Sequence, residues 1–381
     1  MKALPQILML AAAAAMCFTS CNPKSEERTE VPFENSYCFG ADMSFVLQAE
    51  QRGKTFLDTD NTPASPWQIM RSHGFNWGRL MICSEPSRLG QGIDYVLQGA
   101  AKLKEHGYHF ALDYMLSDNW SNPMSQPMPE SWKGKSGKEL EQCLYDFVFS
   151  TMQQLKQADL LPEIVQIGNE ISNGILWPYG RVFYSPEKAA RSNWKEFTSL
   201  LKAGIKAVRD VDSKVQIMLH ADFGGDRNFS SIFFSKMEEY GVDYDIIGYS
   251  FYPWSHGTLA DLRDNLDYTI KTFGKSVIVI ETGFYSEPSN YFEKKGHKAA
   301  YPETEEGQRQ WLEAVNEVVM GAHDNKGLGV FWWEPMFGAR GFFDKDGQAR
   351  SVVDAFRKYA LPLDRCDGNP RIWDFEDEDK Q

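Results

Sequence analysis

Residues 165–174 read VQIGNEISNG, an apolar run that stops abruptly on Gly168, Asn169 and Glu170. Val165 and Ile167, with Ile164 before them, are β-branched residues of the kind that fill a strand buried on both faces. Such a strand belongs to a parallel sheet covered by helices. Its polar ending needs explaining, because an amide and a carboxylate are costly to bury without partners. The fold must bring something to that end of the strand.

The same pattern recurs along the chain: a short β-rich run, a polar loop, then a longer stretch of helical periodicity. The runs are YCFGAD (37–42), FNWGRLMI (75–82), HFALDY (109–114), EIVQIG (163–168), VQIMLH (215–220), DIIGYS (245–250), SVIVIE (276–281) and LGVFWW (328–333). Between them lie helical stretches such as GIDYVLQGAAKLKEHG, ELEQCLYDFVFSTMQQLKQ and NWKEFTSLLKAGIKAVRD. Eight such strands predict an α/β fold, a single (β/α)8 TIM barrel over 36–365. A doubly wound open sheet is the competitor, but no GxGxxG or GK[ST] motif follows the first run. In a barrel of this type the catalytic face is built at the C-terminal ends of the strands. The ends here carry Asp42, Arg79, Asp113, Asn169–Glu170, His220, Tyr252, Glu281 and Trp333.

Glu170 ends the fourth run and Glu281 the seventh, with roughly 37 residues for each of the three βα units between them. Strands four and seven face each other across a barrel mouth. Two carboxylates on opposite walls can flank a glycosidic bond, one as general acid and the other as nucleophile. Either glutamate alone reads as well as an acid placed at a helix N-terminus. The pair, with Asn169 positioned to bond the sugar hydroxyl beside the anomeric carbon, favours the chemical reading.

Taken in order, the blocks GADMSFVLQAEQRG (40–53), GFNWGRLMI (74–82), VQIGNEISNGILWPYG (165–180), IMLHADFGGD (217–226), DYDIIGYSFYPWSHGTL (243–259), VIVIETGFYS (277–286), YPETEEGQRQWL (301–312) and GLGVFWWEP (327–335) resemble glycoside hydrolase family 53, the endo-β-1,4-galactanases, within the clan of retaining (β/α)8 hydrolases. The resemblance covers most of the chain and implies a retaining endo-hydrolase of β-1,4-galactan in pectin side chains. It implies Glu170 as acid/base, Glu281 as nucleophile, Arg79 beside the nucleophile and Trp333 as a stacking floor, with Trp332 pointing the other way. Tyr252 is implied as a hydrogen-bond partner of the nucleophile, Tyr249 being the core alternative. Asp113, Trp120 and His220 are expected to bind substrate or to brace the groups that do. Trp120, Trp132, Trp177 and Trp254 follow strand ends, where rings can stack on successive sugars or pack the loops.

Two stretches depart from the family pattern. DYMLSDNWSNP (113–123) stands where DFHYSDTWADP is usual, and RLMICSEP (79–86) where RLRVWVDP is commoner. Met115, Leu116 and Cys83 are therefore expected to make one sugar wall more apolar. Two further readings stay open beside galactan hydrolysis: the same chemistry on another β-linked glycan, and a non-catalytic glycan-binding lipoprotein.

The formal net charge is −13, with no Lys/Arg-rich stripe, which argues against a nucleic-acid partner. No cofactor or metal is expected, because the two-carboxylate mechanism requires neither. Some family members carry calcium after the last strand, but MFGARGFFDKDGQAR (336–350) is short, and its DKDG reads as a tight turn. The N-terminus has a lysine, an apolar stretch and FTSC ending on Cys21, which reads as a lipoprotein signal over 1–20. Residues 21–35 would be a tether and 366–381 an acidic tail. Cys21 would then carry a lipid anchor in the outer membrane at the cell surface, the alternatives being a periplasmic or secreted protein. Labelling cells with a palmitate analogue should mark this protein, and an unlabelled product would rule the anchor out. A monomer is expected, and the sequence leaves the pairing of Cys38, Cys83, Cys143 and Cys366 open.

Overall fold

The computed structural model describes residues 37–84, 87–183 and 188–359. The expected signal, the tether with Cys21 and the tail with Cys366 lie outside the described residues.

Eight parallel strands close into a barrel. They are β1 (Cys38–Asp42), β2 (Trp77–Ile82), β3 (His109–Tyr114), β4 (Ile164–Ile167), β7 (Gln216–Ala221), β8 (Ile246–Phe251), β9 (Ser276–Thr282) and β10 (Gly327–Trp332). Their order around the barrel is β1-β10-β9-β8-β7-β4-β3-β2. A two-stranded antiparallel pair, β5 (Gly174–Ile175) with β6 (Gly180–Arg181), stands apart in the loop after β4. Each barrel strand falls within, or within a residue of, the run that predicted it. The three quoted helical stretches form helices at Ile93–Glu105, Gly137–Gln157 and Trp194–Val211. The last of these buries Phe197, Leu201, Ile205 and Val208 among others, the three- and four-residue spacing that keeps one helix face against the sheet.

Side chains alternate along each strand, and the inward set forms two levels. Below lies an apolar plug that includes Cys38, Trp77, Ala111, Ile164, Met218, Ile246, Ile278 and Phe331. Further up these strands the inward positions are polar: Arg79, Asp113, Gln166 and His220 directly above the plug, and Asp42 and Ser250 beyond Gly40 and Gly248, all six buried. The register supports this level, with Asp42 beside Arg79 and Asp113 beside Gln166. Six polar groups in one buried layer are tolerable only if they satisfy one another.

β9 breaks the alternation. Against β8, the pairs Tyr249–Val279 and Ser250–Glu281 leave one extra residue in β9, and β10 shows the same shift between Val330–Val279 and Trp332–Thr282. This β-bulge lets Ile280 pack with Ile278 in the plug while Glu281 also turns inward, to the polar layer. Without it, Glu281 would share the helix-facing side with Val277 and Val279.

At the end of β4 the backbone turns through left-handed conformations at Gly168 (φ +86°) and Glu170 (φ +47°). A Cβ on Gly168 would come within 2.6 Å of the Ile171 side chain, so glycine is required there for space as well as conformation. For Glu170 the left-handed backbone costs about 1–2 kcal/mol. The DKDG stretch is the expected turn: the Gly347 amide donates to the Asp344 carbonyl at 3.2 Å. Cys38, Cys83 and Cys143 are free thiols.

Candidate active site

An open cavity of about 610 Å³ lies over the C-terminal ends of the strands. Trp120, Ser121 and Asn122 line one side, and Trp254, Tyr291 and Arg340 the other. Asn169, Glu170, Tyr252, Glu281, Trp333 and Phe337 complete its wall. Glu170 and Glu281, from opposite sides of the barrel, offer carboxylate oxygens within 4.8 Å of each other.

The two carboxyls sit in different surroundings. Glu281 is held at both oxygens: Arg79 Nη2 donates to Oε1 at 2.5 Å, and the Tyr252 hydroxyl donates to Oε2 at 3.0 Å. Burial weighs against the Arg79 guanidinium, but Glu281 and Asp42 more than offset it and keep the group charged. Burial, with the charges of Glu281 and Glu170, pushes the Tyr252 phenol well up, so it stays a donor. Glu170 has no cation in contact. The packing around its carboxyl, then the charges of Glu281 and Asp222, raise it well above the ordinary carboxylate range. The Ser250 hydroxyl, donating to its Oε1 at 2.6 Å, and Arg79 oppose that rise.

Behind Glu170 runs a hydrogen-bonded chain. Ser250 Oγ is 2.9 Å from His220 Nε2, and His220 Nδ1 is 3.0 Å from both Asn169 Oδ1 and Gln166 Nε2. Asn169 is oriented by its Nδ2, which donates to the Ser121 carbonyl at 2.9 Å. Burial, helped by Arg79 and His256, drives the His220 pKa well down, so the ring is neutral. A neutral imidazole can satisfy this chain in two directions. With Glu170 ionised, Nε2–H donates to Ser250, Ser250 donates to Glu170, and Nδ1 accepts from Gln166. With Glu170 protonated, the direction reverses and Nδ1–H donates to Asn169 Oδ1. Either charge state of Glu170 is thus solvated by the same four side chains.

Arg79 lies beside Glu281 as the resemblance implied, and Asp113 and His220 take the bracing role of the two left open. Direct substrate contact is corrected for all three, which are fully buried and do not line the cavity. They occupy the inward strand position one level below the mouth, where they hold Glu281, Gln166 and Ser250 instead. Asp113 accepts from Gln166 Nε2 at 2.7 Å. Burial pushes its carboxyl up to about 8 against the pull of Arg79, with Glu281 and Asp42 adding to the rise. Trp132 is also buried, edge-on to Phe147, so it packs a loop and offers no face to a sugar. Met115, Leu116 and Cys83 do not form the wall surface. Met81, Cys83 and Met115 make a small buried cluster beneath Trp120 and Phe45.

Trp120, Asn169, Tyr252, Trp254 and Trp333 do line the cavity, and Trp332 is buried on the other side of its strand. Tyr249 is a core residue bonded to Ser230 and Thr269. Trp177 stands outside the main cavity, in a second hollow with Tyr179 and Lys135. Gln166, Ser250, Asp222, Tyr291 and Arg340 were not singled out from sequence. For Gln166 a signal was present: a polar residue two positions from Ile164 in a buried strand must point into the barrel.

Glu170, His220 and Glu281 have ligand atoms close enough to hold a metal ion. Both His220 nitrogens are already engaged by Ser250, Gln166 and Asn169, so a metal would have to break the chain behind Glu170.

Residues 38–359 match the family model described as Glycosyl hydrolase family 53. An uncharacterized protein of Niallia circulans is 36% identical over 312 residues, covering 79% of this chain and 84% of that protein. The arabinogalactan endo-β-1,4-galactanase A of Aspergillus niger is 32% identical over 305 residues, covering 78% and 84% of the two chains. Among solved structures, the GH53 catalytic domain of Ignisphaera aggregans superposes with a TM-score of 0.77 at 28% identity, covering 86% of this chain and 97% of the other.

Proposed function

Because the chain belongs to glycosyl hydrolase family 53 and is a glycoside hydrolase, we propose that it cleaves β-1,4-galactosidic bonds within the galactan side chains of pectin, with retention of configuration. The observation that carries this reading is the pair Glu170 and Glu281, with oxygens within 4.8 Å across one cavity and with opposite electrostatic surroundings. Retaining hydrolysis uses carboxyls about 5–5.5 Å apart, whereas inversion needs about 6.5–9.5 Å to admit a water between them.

In this mechanism Glu281 is the nucleophile. Arg79 and Tyr252 each donate to one of its oxygens and fix its orientation. It attacks the anomeric carbon while Glu170 delivers its proton to the glycosidic oxygen, and the C–O bond to the leaving chain breaks. The sugar is then esterified to Glu281, whose negative charge is gone. That loss removes one cause of the raised Glu170 pKa, so the deprotonated Glu170 is stable and ready to act as base. A water gives its proton to Glu170 and attacks the same carbon, freeing Glu281. Trp333 and Asn169 both line the cavity; in this reading Trp333 supports the sugar by stacking and Asn169 bonds the hydroxyl beside the anomeric carbon. The proposal includes the anchor at Cys21 and a cell-surface location, supported by the FTSC motif alone.

Chromatography of digests from β-1,4-galactan, β-1,4-mannan and β-1,4-glucan tests substrate and mode together. Early release of mixed-length oligosaccharides from galactan alone is expected. Monosaccharide as the first product, or cleavage of mannan or glucan in place of galactan, would overturn the assignment.

The chain behind Glu170 makes a separate prediction. Ser250 stabilises the Glu170 carboxylate, so Ser250→Ala should raise the Glu170 pKa further. The protonated acid then survives to higher pH, and the alkaline limb of the kcat/KM profile should move upward, with kcat lowered by about threefold to tenfold. An unmoved limb would show that Ser250 does not tune the acid.

A further inference from the structure

One end of the cavity departs from the acidic character of the chain. The Arg340 guanidinium carbon stands 4.9 Å from the Trp333 ring centre, 5.8 Å from that of Tyr285 and 6.0 Å from that of Trp254. Among the described residues, no carboxylate lies within ion-pair distance of it and no acceptor takes its hydrogen bonds. Arg79, Arg209, Arg309 and Arg350 each reach a carboxylate, whereas Arg181, like Arg340, stands over rings, but outside this cavity. Further out, Tyr285 and Tyr291 have ring centres 5.9 Å apart, and the Lys295 ammonium is 5.8 Å from the Tyr291 ring. Lys294, Lys295 and Lys298 are exposed and have no ion-pair partner among the described residues. Glu293 is exposed on the same short helix, and Glu303 accepts from Ser289. Trp120, whose ring centre is 6.1 Å from that of Trp333, brings the neutral Ser121 and Asn122 to the cavity wall.

Aromatic faces attract a guanidinium but take up none of its N–H donors. Those donors lie in a planar fork that matches a carboxylate in two parallel bonds. Neutral sugar hydroxyls need only the kind of group found at Ser121 and Asn122. The lysines of the 285–303 stretch are matched there by Glu287, Glu293 and Glu303, so the attraction for an anion at the cavity comes from the permanent charge of Arg340.

We propose that Arg340 is a specificity determinant that receives the carboxylate of a uronic acid unit in the glycan, beside the sugars held at Glu170 and Glu281. This rests on the hydrolase reading given above and adds an acidic component to its substrate. The bound chain would run from neutral sugars near Trp120 to a uronate at Arg340.

The test compares neutral β-1,4-galactan oligosaccharides with oligosaccharides of matched length that still carry uronic acid units. The wild type should favour the acidic set in kcat/KM by about tenfold at low salt. That preference should shrink as salt is raised. Arg340→Gln should bring the ratio close to one, and Arg340→Lys should keep part of it. A wild-type ratio of one or below overturns the proposal. So does an Arg340→Gln variant that loses activity on both sets alike, which would assign the residue to neutral hydroxyls or to packing. If the wild type cleaves no galactan at all, it is the hydrolytic reading that fails. Calorimetric binding of a uronic acid oligosaccharide to Glu281→Ala, with and without Arg340→Gln, then decides the role of Arg340 alone.

Discussion

Glu281→Ala is expected to lower kcat on galactan by on the order of 10⁵-fold or more, the scale of loss when a covalent nucleophile is removed. Both chemical steps need this carboxylate, so no natural substrate should escape. The substitution also removes a partner of the buried Arg79, and breaking a buried pair costs about 3–5 kcal/mol. Asp42 still holds Arg79 Nε at 2.7 Å. The fold should therefore survive with reduced stability. Azide separates lost chemistry from lost structure. It fits the vacated space, and with a dinitrophenyl β-galactoside it should restore turnover and release the α-galactosyl azide. Activity within tenfold of wild type, or no azide product, would remove Glu281 from the nucleophile's role.

Glu170→Gln should behave differently. With galactan, whose leaving group needs a proton, kcat should fall by about 10²–10⁴-fold. With a dinitrophenyl leaving group the first step needs no acid, so the sugar should accumulate on Glu281 and be visible by mass spectrometry. Azide then attacks that ester and should yield the β-galactosyl azide, the opposite configuration from the Glu281 variant. The pH profile gives a further check. Glu170 works as an acid only while protonated, and its folded pKa is raised, so wild-type activity persists upward and falls as pH rises through that value. Glutamine has no proton to lose, and the alkaline limb should vanish. Identical azide products from the two variants, or an alkaline limb retained in Glu170→Gln, would refute the division of roles.

How far the sequence could be read depended on how local each signal was. The eight strands were legible because each is a short apolar run bounded by turns. The mouth of the barrel was legible as the place where those runs become polar. Depth was not legible. Arg79 and His220 look like strand-end residues in sequence, yet they sit one inward level below the cavity. Strand stagger around a closed barrel sets that level, and stagger is a property of neighbours. Trp132 was left open between stacking and loop packing for a similar reason, since Phe147, against which it packs, belongs to the following helix. Arg340 carried no sequence signal. Its meaning comes from three rings contributed by separate loops and from having no ion-pair partner among the described residues.

By itself, then, the sequence determined the barrel, its helical cover, and the two glutamates at the ends of the fourth and seventh barrel strands. Periodicity and strand ends are local properties, and local properties are written in neighbouring residues. The tertiary structure decided what those glutamates can do. Strict alternation along SVIVIE would turn Glu281 away from the barrel, and only the extra residue in β9, fixed by its pairing with both β8 and β10, brings it inside. The left-handed backbone at Glu170 and the Ser250–His220 chain aim the other carboxyl at the same point. Two carboxyls within 4.8 Å, one held by Arg79 and one inclined to keep its proton, exist only once the barrel has closed.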